Sequence, residues 1–365
     1  MKINLNKEDL AKVKKILQTK NESINISDFI LEYIYTYTSP LNKNQIKEYI
    51  KEGMNPYMAY KEALLEDLGF EDLDKQDQES LFERVISMIR LLDVNKYRNN
   101  AYIKNINIKP SKYKNWELTL EKYLPYETFI ADDVVDLGNF KEGIQLGYFE
   151  KEFTFPAVIE DNTIWMSVTP NEIETMEKGL SLAHGKVVTF GLGLGYFAYM
   201  ASLKEEVEEI LIIEKDKKVI ELFKQFILPQ FKEKKKITIV NIDAYEYLNS
   251  NKINDFDYAY VDIWHGAEDG IYHYIKFKEI EKLYPNCQFE YWLEDSLISY
   301  YRRIILTLVE ESLEDFKQDQ YLKAESDYDR LINETYFKTE NISFNNFKEF
   351  EEYLSFSNLK KSLEN

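Results

Sequence analysis

The sequence predicts an α/β fold, in which a mostly parallel sheet carries helices on both of its faces. Residues 187–190 form a short apolar run, which indicates a buried parallel strand. Three glycines follow at alternate positions, Gly191, Gly193 and Gly195. Later apolar runs end in carboxylates that are 29 and then 19 residues apart, Glu214, Asp243 and Asp262. Because that spacing is typical of βα units, we expect these runs to form neighbouring strands.

Residues 1–115 are predicted to form a separate N-terminal helical domain, and residues 116–365 to hold the sheet. Amphipathic stretches follow one another in the first part, and Asn6, Ser27 and Asn55 are placed to cap helices. Residues 100–115 are expected to be a linker. The helical domain serves either as a lid over the site or as a scaffold, and the sequence leaves both open.

A small β-hairpin element is predicted at about residues 143–168, before the main sheet. Its last two apolar runs are joined by the turn residues Glu160-Asp-Asn. Thr169 then provides a helix cap, and the acid Glu172 follows three residues later. Trp165 and Glu172 could face the ligand pocket, but we expect structural roles for both.

The rest of the chain continues the α/β pattern and then becomes helical. Residues 287–293 are expected to be the fifth strand of the sheet. A long helix is predicted from Glu294 to about Phe316, and a final strand pair within residues 333–345.

Composition limits the class of protein and its partners. The 365 residues carry a formal net charge of -19, which disfavours a nucleic-acid partner. The single cysteine excludes an internal disulfide and a cysteine-based zinc site, so no metal is expected. The start of the chain lacks a signal peptide and no run is long enough to span a membrane, so we expect a cytoplasmic protein with no membrane partner. Exposed aromatic faces on the N-terminal helices would allow a homodimer.

The order strand, glycine turn, helix, strand and acid is typical of a site for an adenosine-containing ligand. Glu214 lies 19 residues after Gly195, where it can accept hydrogen bonds from both ribose hydroxyls. A nicotinamide or flavin motif would have its third glycine at Tyr196. A phosphate-binding Walker loop is excluded, because no Gly-Lys-Ser/Thr follows.

The Gly-x-Gly-x-Gly spacing resembles motif I of class I S-adenosylmethionine (SAM) dependent methyltransferases. Over residues 150–295 the chain is most similar to the spermidine-synthase-like branch of that superfamily, through Glu214-Lys-Asp216 and Asp243-Ala244. The resemblance implies a Rossmann-like SAM-methyltransferase fold and SAM as cofactor. It implies that Glu214 binds the ribose and that Asp243 and Ala244 bind the adenine. The aminoacyl end is assigned to Asp262 and the glycine loop, namely Gly191, Gly193 and Gly195.

Asp262 and His265 are the candidate catalytic residues, because both follow the predicted fourth strand, where this family has substrate-facing side chains. A purely ligand-binding role for Asp262 and a loop role for His265 are the alternatives. His265 can accept a proton near neutral pH. Glu268 and Asp269 add negative charge that would suit a cationic substrate, unless they belong to an ordinary solvated loop.

Two departures from the family qualify the functional interpretation. Thr189 stands where many methyltransferases have an acid, and His265 stands where aminopropyltransferases have their second acid. The leading interpretation is a SAM-dependent methyltransferase that acts on a small-molecule or protein acceptor. The alternatives are an aminopropyltransferase, which takes decarboxylated SAM, and a non-catalytic module that binds SAM or a nucleotide.

Overall fold

The structure is a computed structural model, and it describes residues 1–36, 39–250, 252–313 and 326–363. After the two-residue strand β1 (Lys2–Ile3), the N-terminal part is mainly helical. Its helices are α1 (Lys7–Thr36), α2 (Lys43–Lys51), α3 (Pro56–Asp67), α4 (Lys75–Met88), α5 (Val94–Arg98) and α6 (Ala101–Asn105). The predicted helix start at Ser27 is wrong, because α1 continues through this buried residue without a glycine or proline to end it.

Two small sheets are formed by strands that precede the main sheet in the chain. They are built from β2 (Ile89–Leu91), β3 (Ser111–Tyr113), β4 (Trp116–Tyr123), β5 (Phe129–Asp136), β6 (Glu142–Tyr148), β7 (Phe153–Glu160) and β8 (Thr163–Ser167). The first sheet has the order β2-β6-β5 and the second the order β3-β4-β7-β8. The predicted linker at 100–115 is therefore wrong, since it contains α6 and β3.

The β7–β8 hairpin and the helices after it lead into the main sheet. Asp161 and Asn162 form its turn with φ values of 50° and 65°, a left-handed conformation that these residue types tolerate. Two short helices follow, α7 (Pro170–Thr175) and α8 (Glu177–Leu182). The Thr169 side chain accepts a hydrogen bond from the backbone N–H of Glu172, so α7 begins as its capping sequence predicts.

The main sheet has five parallel strands in the order β11-β10-β9-β12-β13. Its strands are β9 (Gly185–Phe190), β10 (Val207–Glu214), β11 (Ile237–Asn241), β12 (Tyr258–Val261) and β13 (Gln288–Tyr291). The helices that follow the first four are α9 (Tyr196–Ser202), α10 (Lys217–Leu222), α11 (Ala244–Leu248) and α12 (Ala267–Glu281). The chain adds strands first on one side of β9 and then on the other. Because crossover connections between parallel strands are right-handed, the helices of these two halves cover opposite faces of the sheet. The predicted Rossmann-like α/β fold is confirmed.

The C-terminal part is helical and returns to the N-terminus. Its elements are α13 (Glu294–Leu313), α14 (Asp327–Thr339), β14 (Ser343–Phe344), α15 (Phe347–Tyr353) and α16 (Phe356–Leu363). The short strand β14 pairs in parallel with β1. Phe316, the predicted end of the long helix, lies outside the described residues. The predicted strand pair within 333–345 is wrong, because α14 covers the first half of it. No helix in the described ranges combines the length and the apolar character needed to cross a membrane.

Candidate functional site

A cavity of about 600 Å³ opens at the carboxyl ends of the main-sheet strands. One wall is the glycine loop with the residues that end β10 and β12. The opposite wall comes from β8 and α7. A volume of this size is typical of pockets for small-molecule ligands, and in open parallel sheets ligands bind at this edge.

The glycine loop approaches the fourth strand closely. Gly191 has a φ of 98°, and a Cβ atom there would lie 1.8 Å from the carbonyl oxygen of Asp262. Gly193 also has a positive φ, of 51°, but its position faces open space, with nothing within 4 Å. Gly195 does not line the cavity; it precedes α9 with a φ of 76°. The first two glycines thus bring the backbone beside the cavity without filling it.

Glu214 ends β10, and its carboxylate is held against the glycine loop. Oε2 accepts a hydrogen bond of 3.1 Å from the backbone N–H of Leu192, and Oε1 accepts one of 2.7 Å from that of Asp216. Burial raises the pKa of Glu214, and these two hydrogen bonds offset part of that rise. Glu214, the strand-end acid predicted from the sequence, lines the cavity beside the start of the glycine loop.

Asp243 and Ala244 line the same cavity at the end of β11. The Asp243 carboxylate caps α11, since its Oδ1 accepts a hydrogen bond of 2.9 Å from the backbone N–H of Tyr245. Ala244 is buried as the first residue of that helix. A capping acid remains compatible with a ligand contact, because a carboxylate can accept several hydrogen bonds.

Asp262 and Glu172 bring two further carboxyl groups to the cavity. Burial, followed by the negative charge of Glu214, raises the pKa of Asp262 to about 7. Burial and then the charge of Asp262 raise the pKa of Glu172 well above its ordinary value. Carboxyl groups that share a buried cavity disfavour one another's ionisation, and a bound cation would relieve this effect.

His265 lies at the mouth of the cavity rather than inside it. Its side chain is 72% exposed, and its Nδ1 lies 3.3 Å from Oδ2 of Asp269. Although burial alone would raise the pKa of Asp269, hydrogen bonds from the backbone N–H groups of His265 and Gly266 lower it overall. The imidazole and the Trp165 ring make an edge contact, with centroids 5.3 Å apart.

The cavity wall also includes residues that the sequence interpretation ranked as structural or did not name. Trp165 and Glu172 both line it, although structural roles are expected for them from sequence. Ile164 and Tyr35 complete the rim; Tyr35 belongs to α1, far upstream in the chain. In the sequence, a tryptophan close to a predicted turn was the one sign that the hairpin contributes to the cavity. Nothing in the sequence indicated that Tyr35 would lie there.

The cavity is strongly acidic. Five of its lining residues carry carboxyl groups, Glu172, Glu214, Asp216, Asp243 and Asp262. Among the lining residues that the structure describes, Lys215 is the single lysine and there is no arginine. Such a cavity favours ligands with positive charge and offers little to a ligand carboxylate.

A family model matches the part of the chain that holds most of this sheet. Residues 196–282 match the family model of the spermine/spermidine synthase domain. The matched segment covers α9 to α12, including Glu214, Asp243, Ala244, Asp262 and His265. No curated protein matches the chain in sequence.

Two solved structures are similar to part of the chain. One is a crystal structure of spermidine synthase from Thermotoga maritima, and the other is spermidine synthase in complex with the transition state analogue AdoDATO. Both are 18% identical with a TM-score of 0.29, and each comparison covers 41% of this chain. The chain spans 59% of the first structure and 58% of the second. These values are too low to support an argument about activity.

The family match corrects the predicted cofactor. Spermidine synthases take decarboxylated SAM as an aminopropyl donor, whereas the sequence interpretation named SAM as a methyl donor. The prediction of SAM is therefore wrong. The match favours aminopropyl transfer, the alternative drawn from the sequence, over methyl transfer.

Proposed function

We propose that this protein is an aminopropyltransferase that transfers the aminopropyl group of decarboxylated SAM to an amine acceptor. The observation that carries this proposal is the acidic cavity, with five carboxyl-bearing residues against one lysine in its described lining. Decarboxylated SAM has a sulfonium and an ammonium group and no carboxylate. Its charge is complementary to this cavity, as is that of an amine acceptor.

The cavity has little to offer a ligand that carries a carboxylate. Lys215 follows Glu214 directly and reduces the effect of burial on the pKa of that acid. A carboxylate at the other end of the cavity would lie among Asp262 and Glu172 with no described lysine or arginine in the lining beside them. Like charges at close range in a buried site are destabilising, so the decarboxylated donor is favoured.

Each lining residue has a role in this proposal that follows from its position. Glu214 accepts hydrogen bonds from the ribose hydroxyls, and Asp243 with Ala244 contacts the adenine. Gly191 and Gly193 let the backbone approach the donor, and Asp262 interacts with its positive charge. Gly195 supports the turn from outside the cavity. His265 acts at the mouth, where it can meet the acceptor.

The chemistry is a displacement at carbon. The acceptor nitrogen, as a free amine, attacks the CH₂ carbon bonded to sulfur; a C–N bond forms and the C–S bond breaks. Sulfur keeps the electron pair and becomes a neutral thioether, while the nitrogen becomes a secondary ammonium. The acceptor ammonium must first lose a proton. Asp262, whose pKa is raised to about 7, can accept that proton near neutral pH.

A non-catalytic binding module is the second candidate, and the position of His265 favours it. In this chain the residue three positions after Asp262 is an exposed imidazole paired with Asp269, and it is not an acid inside the cavity. Such a protein would bind the donor without turnover.

The test is an assay of the full chain with decarboxylated SAM and 1,4-diaminobutane. Formation of methylthioadenosine and of the aminopropylated amine, measured by chromatography and mass spectrometry, is the expected result. There are two controls: the same reaction without amine, and the complete reaction with the Asp262→Asn variant. Donor binding by calorimetry without product, over a panel of diamines and polyamines, would favour the binding module. Failure to bind the donor would exclude both candidates.

A further inference from the structure

We propose that Glu172 is a substrate-binding residue that holds a primary ammonium group on the side of the cavity away from Glu214. The inference rests on the proposed function, because both the donor and the acceptor of that reaction carry such a group. Glu172 lies outside the segment that matches the family model and outside the main sheet.

The fold separates Glu172 from the predicted ribose-binding acid. Glu214 ends β10, on one side of the central strand β9, and Asp262 follows β12 on the other side. Helix α7 lies beyond them, because Oγ1 of Thr175 accepts a hydrogen bond of 2.9 Å from Nε1 of Trp292, which follows β13. Glu172 is in the first turn of this helix. The pKa of Glu172 responds to the charge of Asp262, and the pKa of Asp262 responds to the charge of Glu214, so Asp262 is the acid nearest to Glu172.

No positive group neutralises the Glu172 carboxylate among its described neighbours. Ser167 and the Thr169 backbone N–H lower its pKa, but burial and the charge of Asp262 outweigh them. The titratable groups that interact electrostatically with it are one carboxyl and several phenols, contributed by α6, α9, β4, β12 and the residue after β12, namely Asp262, Tyr102, Tyr123, Tyr196 and Tyr260. In the described lining of the cavity the single lysine is at the opposite end, next to Glu214. A bound ammonium would supply the missing positive charge.

His265 cannot serve this purpose in its present position. Its side chain is 72% exposed, and Asp269 already accepts hydrogen bonds from its ring and its backbone. Glu172 and Asp262 are thus the two carboxyl groups at this end of the cavity, and they come from different elements. An ammonium between them would form charge-assisted hydrogen bonds to both.

A structural alternative is that Glu172 only stabilises the start of α7. It stands three residues after the cap Thr169, where a glutamate or glutamine commonly bonds back to the cap residue. Glutamine serves that function as well as glutamate does. The Glu172→Gln change therefore removes the charge and keeps the cap, which separates the two roles.

The experiment compares Glu172→Gln with Glu177→Gln in the full chain. Glu177 is the matched control, because it begins α8 just downstream and its side chain is 70% exposed. We expect Glu172→Gln to raise the KM of one substrate by about tenfold or more, as expected for losing a hydrogen bond to a charged group. A raised KM for 1,4-diaminobutane assigns the site to the acceptor, and a raised KM for decarboxylated SAM assigns it to the donor. Unchanged KM values for both would overturn the proposal.

A second measurement, on the unmodified protein, does not depend on the variant folding. Titration calorimetry with 1,4-diaminobutane, and separately with decarboxylated SAM, in two buffers of different ionisation enthalpy gives the protons exchanged on binding. Because burial raises the pKa values of Glu172 and Asp262, a bound ammonium, which favours their ionised forms, should cause protons to be released on binding. The release should fall in Glu172→Gln and stay unchanged in Glu177→Gln. Proton release that is equal in all three proteins would contradict the inference.

The two proposals fail separately. Binding with proton release through Glu172, but without turnover, would refute aminopropyl transfer and keep the ammonium site. Turnover with unaltered KM values in Glu172→Gln would keep the activity and refute the site.

Discussion

At the residue scale, the site depends on carboxyl groups whose pKa values are raised by burial and by neighbouring negative charge. Asp262 has its pKa raised to about 7 from 3.8, first by burial and then by Glu214. As pH rises, the unfolded chain therefore ionises first, and the folded state loses relative stability from about pH 4 up to about pH 7. Above that range the penalty is constant.

Asp262→Asn removes this ionisation and tests it directly. We expect the variant to gain thermal stability relative to the parent at pH 8, and to show a smaller difference at pH 5. In the proposed reaction its turnover should fall by about a hundredfold or more, since the proton acceptor is lost. Thermal unfolding at both pH values gives the first result and the product assay gives the second. Asp161→Asn, at the exposed turn, is the control; an equal pH response there would contradict the assignment.

The glycine loop gives a second prediction at this scale. Gly191→Ala would place a methyl group on the carbonyl of Asp262 at a backbone angle that favours glycine. Gly193→Ala has a positive φ too, but meets open space. We expect Gly191→Ala to lower the free energy of unfolding by more than about 2 kcal/mol, and Gly193→Ala by about 1 kcal/mol. Chemical denaturation measures both, and equal losses would show that the close approach is not decisive.

At the element scale, the β7–β8 hairpin supplies the outer wall of the cavity. Trp165 is 43% exposed, so its ring is available at the mouth, where it meets His265. Tyr35, from α1, is 74% exposed beside the same opening. Exposed aromatic faces next to an acidic cavity attract alkylammonium groups through cation–π contacts.

Trp165→Ala should therefore discriminate between short and long acceptors. A triamine long enough to reach the mouth should lose affinity by about threefold to tenfold, whereas 1,2-diaminoethane should be unaffected. Because the ring is partly exposed, thermal stability should change little. Steady-state KM values for the two amines measure the effect, and Thr163→Ala, on the same strand but outside the cavity lining, is the control. Equal changes for both amines would exclude a role of the ring in acceptor length.

The elements differ in how far sequence could predict them. The central strands β9 and β12 are buried on both faces, so their apolar runs are visible locally, as at Val187 and Val188. Ser27 illustrates the opposite case. The sequence suggests that it caps a helix, but in the structure it is buried in the middle of one long helix. The position of Tyr35 at the cavity depends on long-range packing, which no local pattern encodes.

At the scale of the whole molecule, a buried ionic cluster joins the helical part to the rest of the chain. Glu142, on β6, is paired with Arg302 and Arg303 of α13. Its backbone carbonyl accepts a hydrogen bond of 2.6 Å from Nη1 of Arg84, on α4. Arg84 also bonds to Ser23 on α1 at 3.0 Å. Four elements that are distant in sequence, α1, α4, β6 and α13, are therefore linked around Glu142.

Glu142→Ala should be strongly destabilising, because Arg302 would remain buried without its partner. The expected loss is about 3–5 kcal/mol in the free energy of unfolding, measured by chemical denaturation. Glu150→Ala, at an exposed position after β6, is the control and should change stability by less than about 0.5 kcal/mol. A small loss in Glu142→Ala would mean that water or another acid compensates for the missing carboxylate.

The pairing of β1 with β14 has a consequence for how the chain is made. Residues 2 and 3 are hydrogen-bonded in register with residues 343 and 344. During synthesis the first strand emerges from the ribosome long before its partner exists, and chains are synthesised at roughly 5–20 residues per second. The N-terminal segment must therefore wait tens of seconds without its partner. Closure of the molecule at this seam therefore comes late, after the sheet and its cavity have been synthesised.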